Sequence, residues 1–188
     1  MRGQTGPATL RAMRKTAKPP AKVPDLFHSK LVVVFCGLAA RRRSAAPKQY
    51  YADDGNRFWS VLATTNLTPR HLAPSEYQLL PTFGIGLTDI IKTPRGKDVE
   101  LRFGVVDRAG LHARILKFQP RFLCFNGKQA AQEFYDLATI DYGIQADPID
   151  STNVFVAPAT SPAAGEDWDQ GLWEDLAERL LRIRGPVG

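Results

Sequence analysis

The sequence predicts an α/β fold: a three-layer α/β/α sandwich around a short, mostly parallel central sheet. Three short segments, residues 31–36, 121–126 and 153–158, are apolar at nearly every position, as strands are when both of their faces are covered. Segments with helical spacing of apolar residues lie between and after these runs. Because strands that alternate with helices assemble into a parallel sheet with helices on both sides, a single sandwich domain is expected.

Each helical segment has its own signal. The first follows Gly55, with Asn56 as its expected N-cap. The second begins near Arg108 and stops at Pro120, because proline cannot continue a helix. The remaining two occupy residues 127–138, directly after the second strand, and residues 171–183 near the end of the chain.

The chain divides into a basic tail and one domain. Residues 1–26 lack hydrophobic periodicity and contain "KPPAKVP", so we expect a disordered or extended tail, followed by a single domain over residues 27–188. The formal net charge is +6, and residues 1–24 supply all of it with six basic and no acidic residues. Such an arm is suited to contacts with phosphate backbones, and a merely solubilising leader is the alternative.

Several classes of protein are disfavoured. The longest apolar run, residues 31–40, is shorter than the roughly 20 residues that cross a bilayer, and no secretory signal is recognisable, so we expect a cytoplasmic protein. Cys36 and Cys124 each lie within an apolar run, which indicates reduced core thiols. The three histidines share no spacing, so we assign neither a metal nor a cofactor.

The strand ends are where a site is expected. Functional loops of such sheets follow the carboxyl ends of the strands, which makes the loop after Cys36, the turn at residues 125–128 and the loop at residues 157–165 neighbours in space. The segment "FGIGLTDIIK" at residues 83–92 is a fourth candidate, because its glycines would let the backbone approach a ligand closely.

Four motifs in order suggest a family. "GNRFW" at residues 55–59, "GIGLTD" at 84–89, "FNGK" at 125–128 and a Pro-Ala-Thr-Ser turn at 158–161 together resemble the mismatch-specific uracil and thymine DNA glycosylase branch of the uracil-DNA glycosylase superfamily. The resemblance spans residues 31–183 and implies an enzyme that flips a base, here uracil or a related damaged base, out of DNA and hydrolyses its bond to deoxyribose. It implies DNA as the partner and no cofactor, and we expect a monomer.

The catalytic residue implied by the resemblance is Asp89. The family commonly has Gly-Ile-Asn-Pro-Gly after the first strand, but this chain has Gly37-Leu38-Ala39-Ala40-Arg41, and Ala39 cannot orient water. Some members of this branch use a carboxylate at the position of Asp89 instead. A carboxylate facing the sugar both polarises water and stabilises oxocarbenium charge. The alternative is that Asp89 caps a helix before "IIK".

The base-binding residues implied are Tyr51, Gly37, Leu38 and Ser161. Tyr51 lies five residues before Asn56, where the family has an aromatic ring that stacks on the base. The backbone around Gly37, Leu38 and Tyr51 would read the edge of uracil, whereas Tyr50 is expected in the core. Ser161 is retained from the second family signature, where it contacts the base or a phosphate or braces its own turn.

The expected DNA contacts lie on the same loops. The candidates are Arg41, Arg42, Arg43, Ser44, Lys48, Lys128 and Ala163. A triple arginine beside a pocket favours an anionic partner, and a solvated surface run is the alternative. Lys128 begins a helix, where phosphate is readily bound, or else belongs to plain helix surface. Ala163 occupies the family's wedge position, where a large apolar residue is usual.

Two further functions remain open. The replaced polar residue at Ala39 and the small Ala163 also suit a non-catalytic or weakly catalytic protein that binds uracil or abasic sites in DNA. A nucleotide-binding α/β protein acting on small molecules is the third possibility, and it predicts affinity for free nucleotides without salt-sensitive DNA binding.

Overall fold

The structure is a computed structural model that describes residues 24–38, 49–93 and 105–184. Its main sheet has five strands, namely β1 (Val33–Gly37), β2 (Ile85–Asp89), β5 (Phe122–Asn126), β6 (Gly143–Ile144) and β7 (Asn153–Ala157). Their order across the sheet is β2-β1-β5-β7-β6. The first four in this order pair in parallel, and only β6 runs antiparallel to its neighbour β7. The predicted mostly parallel sheet is therefore confirmed.

Helices cover both faces of this sheet. The α-helices are α1 (Phe58–Thr64), α2 (Arg108–Phe118), α3 (Lys128–Tyr135) and α4 (Gln170–Arg184). Two 3₁₀ helices, Pro74–Phe83 and Pro162–Asp167, and a small antiparallel pair, β3 (Ile91–Thr93) with β4 (Val105–Val106), complete the elements of the described residues. No helix of these residues is both long and apolar enough to span a membrane.

The two hydrophobic clusters follow directly from strand alternation. In β1, Val33 and Phe35 face the cluster that contains α1 and α4, whereas Val34 and Cys36 face the cluster that contains α2 and α3. Successive side chains of a strand point to opposite faces, so one continuously apolar strand supplies both layers. The predicted three-layer sandwich is confirmed.

The helix predictions needed small corrections. Asn56 does cap α1, since its Oδ1 accepts a hydrogen bond from the Phe58 amide at 3.0 Å, but Arg57 rather than Asn56 occupies the N-cap position. In α4 the buried side is formed by Trp173, Leu176, Ala177 and Leu180, at i, i+3, i+4 and i+7. Ile183, near the end of the helix, is exposed.

The strand β2 was not predicted, and its glycine has a different role from the one expected. A Cβ atom at Gly86 would lie 2.5 Å from the Leu26 carbonyl oxygen and 2.7 Å from Leu31 Cδ1. The Leu26 backbone pairs with Leu87 there, donating to its carbonyl at 2.8 Å. Gly86 therefore admits a segment of this chain, and the expectation that it lets the backbone approach a ligand was wrong.

Residues 24–26, which the sequence assigns to the tail, pack against the sheet. Beside Leu26, the Asp25 carboxylate accepts a hydrogen bond from Lys92, whose side chain is only 8% exposed. The Lys92 ammonium also donates to Thr88 Oγ1 at 2.6 Å. A buried ammonium is stable when it is paired in this way, so Asp25 ties the start of the described chain to β2 and β3.

Candidate functional site

The carboxyl ends of the parallel strands lie along one edge of the sheet. Gly37 at the end of β1 is directly opposite Asp89 at the end of β2. On the other side of β1, β5 ends at Asn126, and β7 next to it ends at Ala157. The topology therefore brings together the ends of the three strands whose following segments were expected to be neighbours, and adds the end of β2, which belongs to the fourth candidate segment.

Asp89 does not cap a helix. The residues that follow it form β3, and the amides of Ile90 and Ile91 donate to the carbonyls of Gly37 and Leu38 at 2.9 and 2.8 Å. The alternative role for Asp89 was therefore wrong. The carbonyls of Gly37 and Leu38 each use one lone pair in these bonds. The sequence analysis had expected the backbone of these two residues to contact the edge of the base.

Gly37 is a position of close approach. A Cβ atom there would lie 2.7 Å from Asp89 Oδ1 and 3.2 Å from the Tyr51 hydroxyl oxygen. The first of these distances is shorter than real Cβ contacts allow, so a side chain at residue 37 would displace the Asp89 carboxylate. Glycine at this position thus permits a carboxylate and a phenol to converge on one point at the end of β1.

Tyr51 is held by its backbone and by a ring contact. Its φ angle of 52° is left-handed, and its half-buried ring stacks on Phe58 with the centroids 4.0 Å apart. Tyr50 is 3% exposed and its carbonyl accepts from the Trp59 indole at 3.3 Å, so its predicted place in the core is confirmed. The two adjacent tyrosines therefore point to different environments.

Three side chains at this edge have raised pKa values for the same two reasons. Burial raises the pKa values of the Cys36 thiol and of the Tyr50 and Tyr51 phenols, and in each case the charge of Asp89 is the next largest cause. A charge raises neighbouring pKa values in this way when little water screens it. The Cys36 thiol and the two phenols therefore keep their protons beside the half-buried Asp89.

The two thiols behave as core residues. Cys36 and Cys124 are fully buried and free, as expected. Burial also raises the pKa of Cys124, so neither thiol is a reactive nucleophile at neutral pH. Within the described ranges, no three His, Cys, Asp or Glu side chains group as metal ligands would.

Asn126 joins the end of β5 to the loop after β7. Its Oδ1 accepts from the Thr160 amide and its Nδ2 donates to Thr160 Oγ1, both at 2.9 Å. The next residue, Gly127, donates its amide to the Ala157 carbonyl at 2.9 Å. The sequence-based expectation that Asn126 bonds loop backbone is confirmed, because both ends of its amide are committed to this loop.

Ser161 and Ala163 lie on that loop. Ser161 is half-buried and precedes the 3₁₀ helix Pro162–Asp167, but its side chain does not cap the helix. Ala163 is exposed on the same helix. Both residues therefore lie at the strand-end edge of the sheet, where the sequence had expected them.

Arg57 fastens this loop to the "GNRFW" segment. Sequence reasoning did not identify its contact with Trp168. Its amide donates to the Thr160 carbonyl at 2.8 Å, and its guanidinium lies 5.1 Å from the centre of the Trp168 ring. Trp168 stacks in turn on Trp173 of α4. Spacing alone carries no signal for this contact, since Arg57 and Trp168 are 111 positions apart in the sequence.

Lys128 begins α3, as predicted, with its ammonium 4.2 Å from the centre of the Tyr142 ring. A cation over an aromatic face is attracted to the ring and is held at a defined place. The predicted contacts Arg41, Arg42, Arg43, Ser44 and Lys48 lie outside the described residues, as does Ala39.

The open depression between α2 and α3 is a separate feature. It measures about 620 Å³, and its lining includes Arg108, His112, Tyr135 and Asp147. None of the predicted site residues lines it. The candidate site is therefore the strand-end edge and not this depression.

Comparisons with known proteins agree with the fold and the motifs. Residues 24–177 match the model of the uracil DNA glycosylase superfamily. The structure is similar to the solution NMR structure of a candidate uracil DNA glycosylase from Methanosarcina acetivorans, with a TM-score of 0.60 and 22% sequence identity. That match covers 85% of this chain and 96% of the other. Because the family match spans most of the sequence, the chain belongs to the uracil DNA glycosylase superfamily.

Proposed function

We propose that this protein is a monofunctional DNA glycosylase that releases uracil, or a related damaged or mismatched base, and leaves an abasic site. The observation that carries the proposal is the convergence of Asp89 and Tyr51 on Gly37 at the end of β1. Together with membership of the superfamily, a carboxylate beside an aromatic ring supplies what base excision needs. The mismatch-specific uracil and thymine branch is the one whose motifs the sequence resembles.

In the proposed mechanism Asp89 has two roles. It polarises a water molecule for attack on C1′ of the deoxyribose, and its charge stabilises the oxocarbenium-like sugar as the bond to the base breaks. A half-buried carboxylate suits both roles, because a charge acts more strongly on its neighbours where water is partly excluded. Asp89 thereby supplies the function that Ala39 cannot.

The extruded base would stack on Tyr51. One face of the Tyr51 ring rests on Phe58, which fixes the plane of the ring, and the base is proposed to stack on the opposite face. Stacking of a base on an aromatic ring contributes about 1–3 kcal/mol in proteins that bind single strands. The backbone of Gly37 and Leu38, with Ser161, would contact the edge of the base.

The DNA backbone would be held around this pocket. We propose phosphate contacts by Arg41, Arg42, Arg43, Ser44, Lys48 and Lys128, and we place Ala163 against the duplex. Lys128 and Ala163 lie at the strand-end edge on which the site is built. Since alanine is a small wedge, the protein should favour single-stranded or easily opened substrates.

The second candidate function is a protein that binds uracil or abasic sites without cleaving. Ala39 and Ala163 favour it, because each stands where the family usually has a residue that takes part in water activation or duplex penetration. We prefer the glycosylase because a carboxylate, Asp89, lies beside Gly37 at the end of β1 and is chemically able to activate water.

Abasic-site formation separates the two functions. Single- and double-stranded oligonucleotides that contain uracil, a thymine mismatch or hypoxanthine would be incubated with the full chain and then cleaved with alkali at abasic sites. We expect release of at least one of these bases, fastest from single strands or mismatches. Tight binding to abasic DNA without any base release would instead establish the binding protein. The variant Asp147→Asn removes an exposed carboxylate in the segment that leads from β6 into the amino-terminal end of β7, and it should match the wild type.

A further inference from the structure

The hydroxyl group of Tyr51 is an unexplained polar atom at the centre of the site. It is buried, and among the described residues it has no hydrogen-bond partner. Buried hydroxyl groups in folded proteins are nearly always bonded, so one that is not requires a reason. If Tyr51 served only as a stacking surface, phenylalanine would perform the same task without leaving an unpaired oxygen.

The surroundings of this hydroxyl are those of a reaction centre. The hydroxyl oxygen lies 3.2 Å from the Cβ position at Gly37, and Asp89 Oδ1 lies 2.7 Å from the same position. The Asn126 amide is beside the phenol and favours its ionised form, yet it completes no hydrogen bond to the oxygen and is committed to Thr160. The carboxylate and the phenol thus both lie close to Gly37 at the end of β1.

The phenol remains a donor in this setting. Burial, and then the charge of Asp89, raise the pKa of Tyr51 well above its usual value, so its proton is retained at and above neutral pH. Its position is also fixed, because the left-handed backbone and the ring contact with Phe58 leave the hydroxyl little freedom. A fixed, neutral O–H group beside a carboxylate is able to orient a water molecule between them.

We propose that the Tyr51 hydroxyl is a catalytic group that donates a hydrogen bond to the water activated by Asp89. This inference rests on the proposed glycosylase function. The water oxygen forms a bond to C1′ while the bond from C1′ to the base nitrogen breaks and its electron pair leaves with the base. The proton of the water passes to the Asp89 carboxylate, and the departing base takes a proton from solvent. Tyr51 keeps its own proton throughout and holds the water in line.

The test is Tyr51→Phe, which removes the hydroxyl and keeps the ring on Phe58. The rate of uracil release would be measured under single-turnover conditions, and the Kd would be measured for an oligonucleotide with 2′-fluoro-2′-deoxyuridine, which resists hydrolysis. We expect the rate to fall roughly 10-fold, as the loss of one hydrogen bond does, while the Kd changes less than about 2-fold. If the hydroxyl had a purely structural role, its removal would not lower the rate of release while leaving the Kd nearly unchanged.

The matched control is Tyr135→Phe. Tyr135 on α3 also has a buried hydroxyl without a partner among the described residues, but it lines the depression between α2 and α3. Its removal should leave the rate unchanged, and thermal melting of both variants would show that each is folded. Release by Tyr51→Phe at the wild-type rate would overturn the inference while the glycosylase function stands. Absence of release by the wild type would overturn both.

Discussion

Two parts of the candidate site are built in different ways. The deep part, Gly37, Tyr51, Asp89 and Asn126, lies at the ends of paired strands or is packed against them. The rim, Lys128, Ser161 and Ala163, lies on helix starts and on the loop after β7, where side chains are half-buried or exposed. Strand pairing and packing against the strands position the residues of the deep part, whereas single ring contacts and loop hydrogen bonds position the residues of the rim.

This difference separates two kinds of function. In the deep part the Asp89 carboxylate lies so close to Gly37 that a Cβ atom there would not fit without a shift, so small displacements change chemistry. The rim offers a positive charge and exposed backbone to a long polyanion, so changes there alter affinity and its dependence on salt. Substitutions in the two parts should therefore have different kinetic signatures.

Among substitutions in the two parts of the site, the largest loss of rate is expected for Gly37→Ala in the deep part. The added methyl group would lie 2.7 Å from Asp89 Oδ1 and would move the carboxylate away from the sugar. Since a displacement of about 1 Å can cost 100-fold in rate, we expect kcat for uracil release to fall by about that factor with a small change in KM. Steady-state kinetics on a uracil-containing oligonucleotide would measure both constants.

The control for this change is Gly171→Ala at the start of α4, where the nearest atom is the end of the Asp169 side chain at 3.2 Å. It should leave both constants unchanged. A Gly37→Ala protein with wild-type kcat would show that the deep part tolerates displacement, and the comparison would then fail.

A smaller effect is expected for Lys128→Gln at the rim. If Lys128 contacts one phosphate, its loss should reduce the slope of log Kobs against log salt concentration by roughly 0.7 to 0.9 and leave the maximal rate unchanged. Fluorescence anisotropy with labelled DNA at several salt concentrations would provide the slope.

Lys117→Gln is the matched control, because the Lys117 ammonium also lies over an aromatic ring, 5.2 Å from the centre of Phe118 at the end of α2. Its removal should not change the slope. Equal slopes for the wild type and Lys128→Gln would exclude Lys128 from the phosphate contacts.

The sequence was most informative where burial dominates. β1, β5 and β7 could be predicted because each is apolar on both faces, and their alternation with helices fixes the layers. β2 escaped prediction because Gly86 interrupts it and Gly84 directly precedes it. A Cβ atom at Gly86 would meet the Leu26 backbone, and Gly84 ends the preceding 3₁₀ helix with a left-handed φ of 72° beside the side chain of Val32. Tertiary contacts, not local preference, made this segment a strand.

The site shows the same limit. The strand-end rule placed Gly37 at this edge, whereas Asp89 was assigned to the site through the family resemblance alone, because β2 was not predicted as a strand. The left-handed backbone of Tyr51 and the contact of Arg57 with Trp168 depend on packing between distant segments, and no local pattern encodes either. The residues that hold the site together were therefore harder to predict than the residues proposed to act in it.

The most direct test of the proposed function is Asp89→Asn. Asparagine keeps the size and the polar oxygen of aspartate but removes its charge and basicity, so only the proposed chemical role is lost. We expect single-turnover release of uracil to fall by about 100-fold or more, with DNA binding retained and with Asp147→Asn matching the wild type. Uracil release by Asp89→Asn at the wild-type rate would contradict the assignment of the chemistry to Asp89.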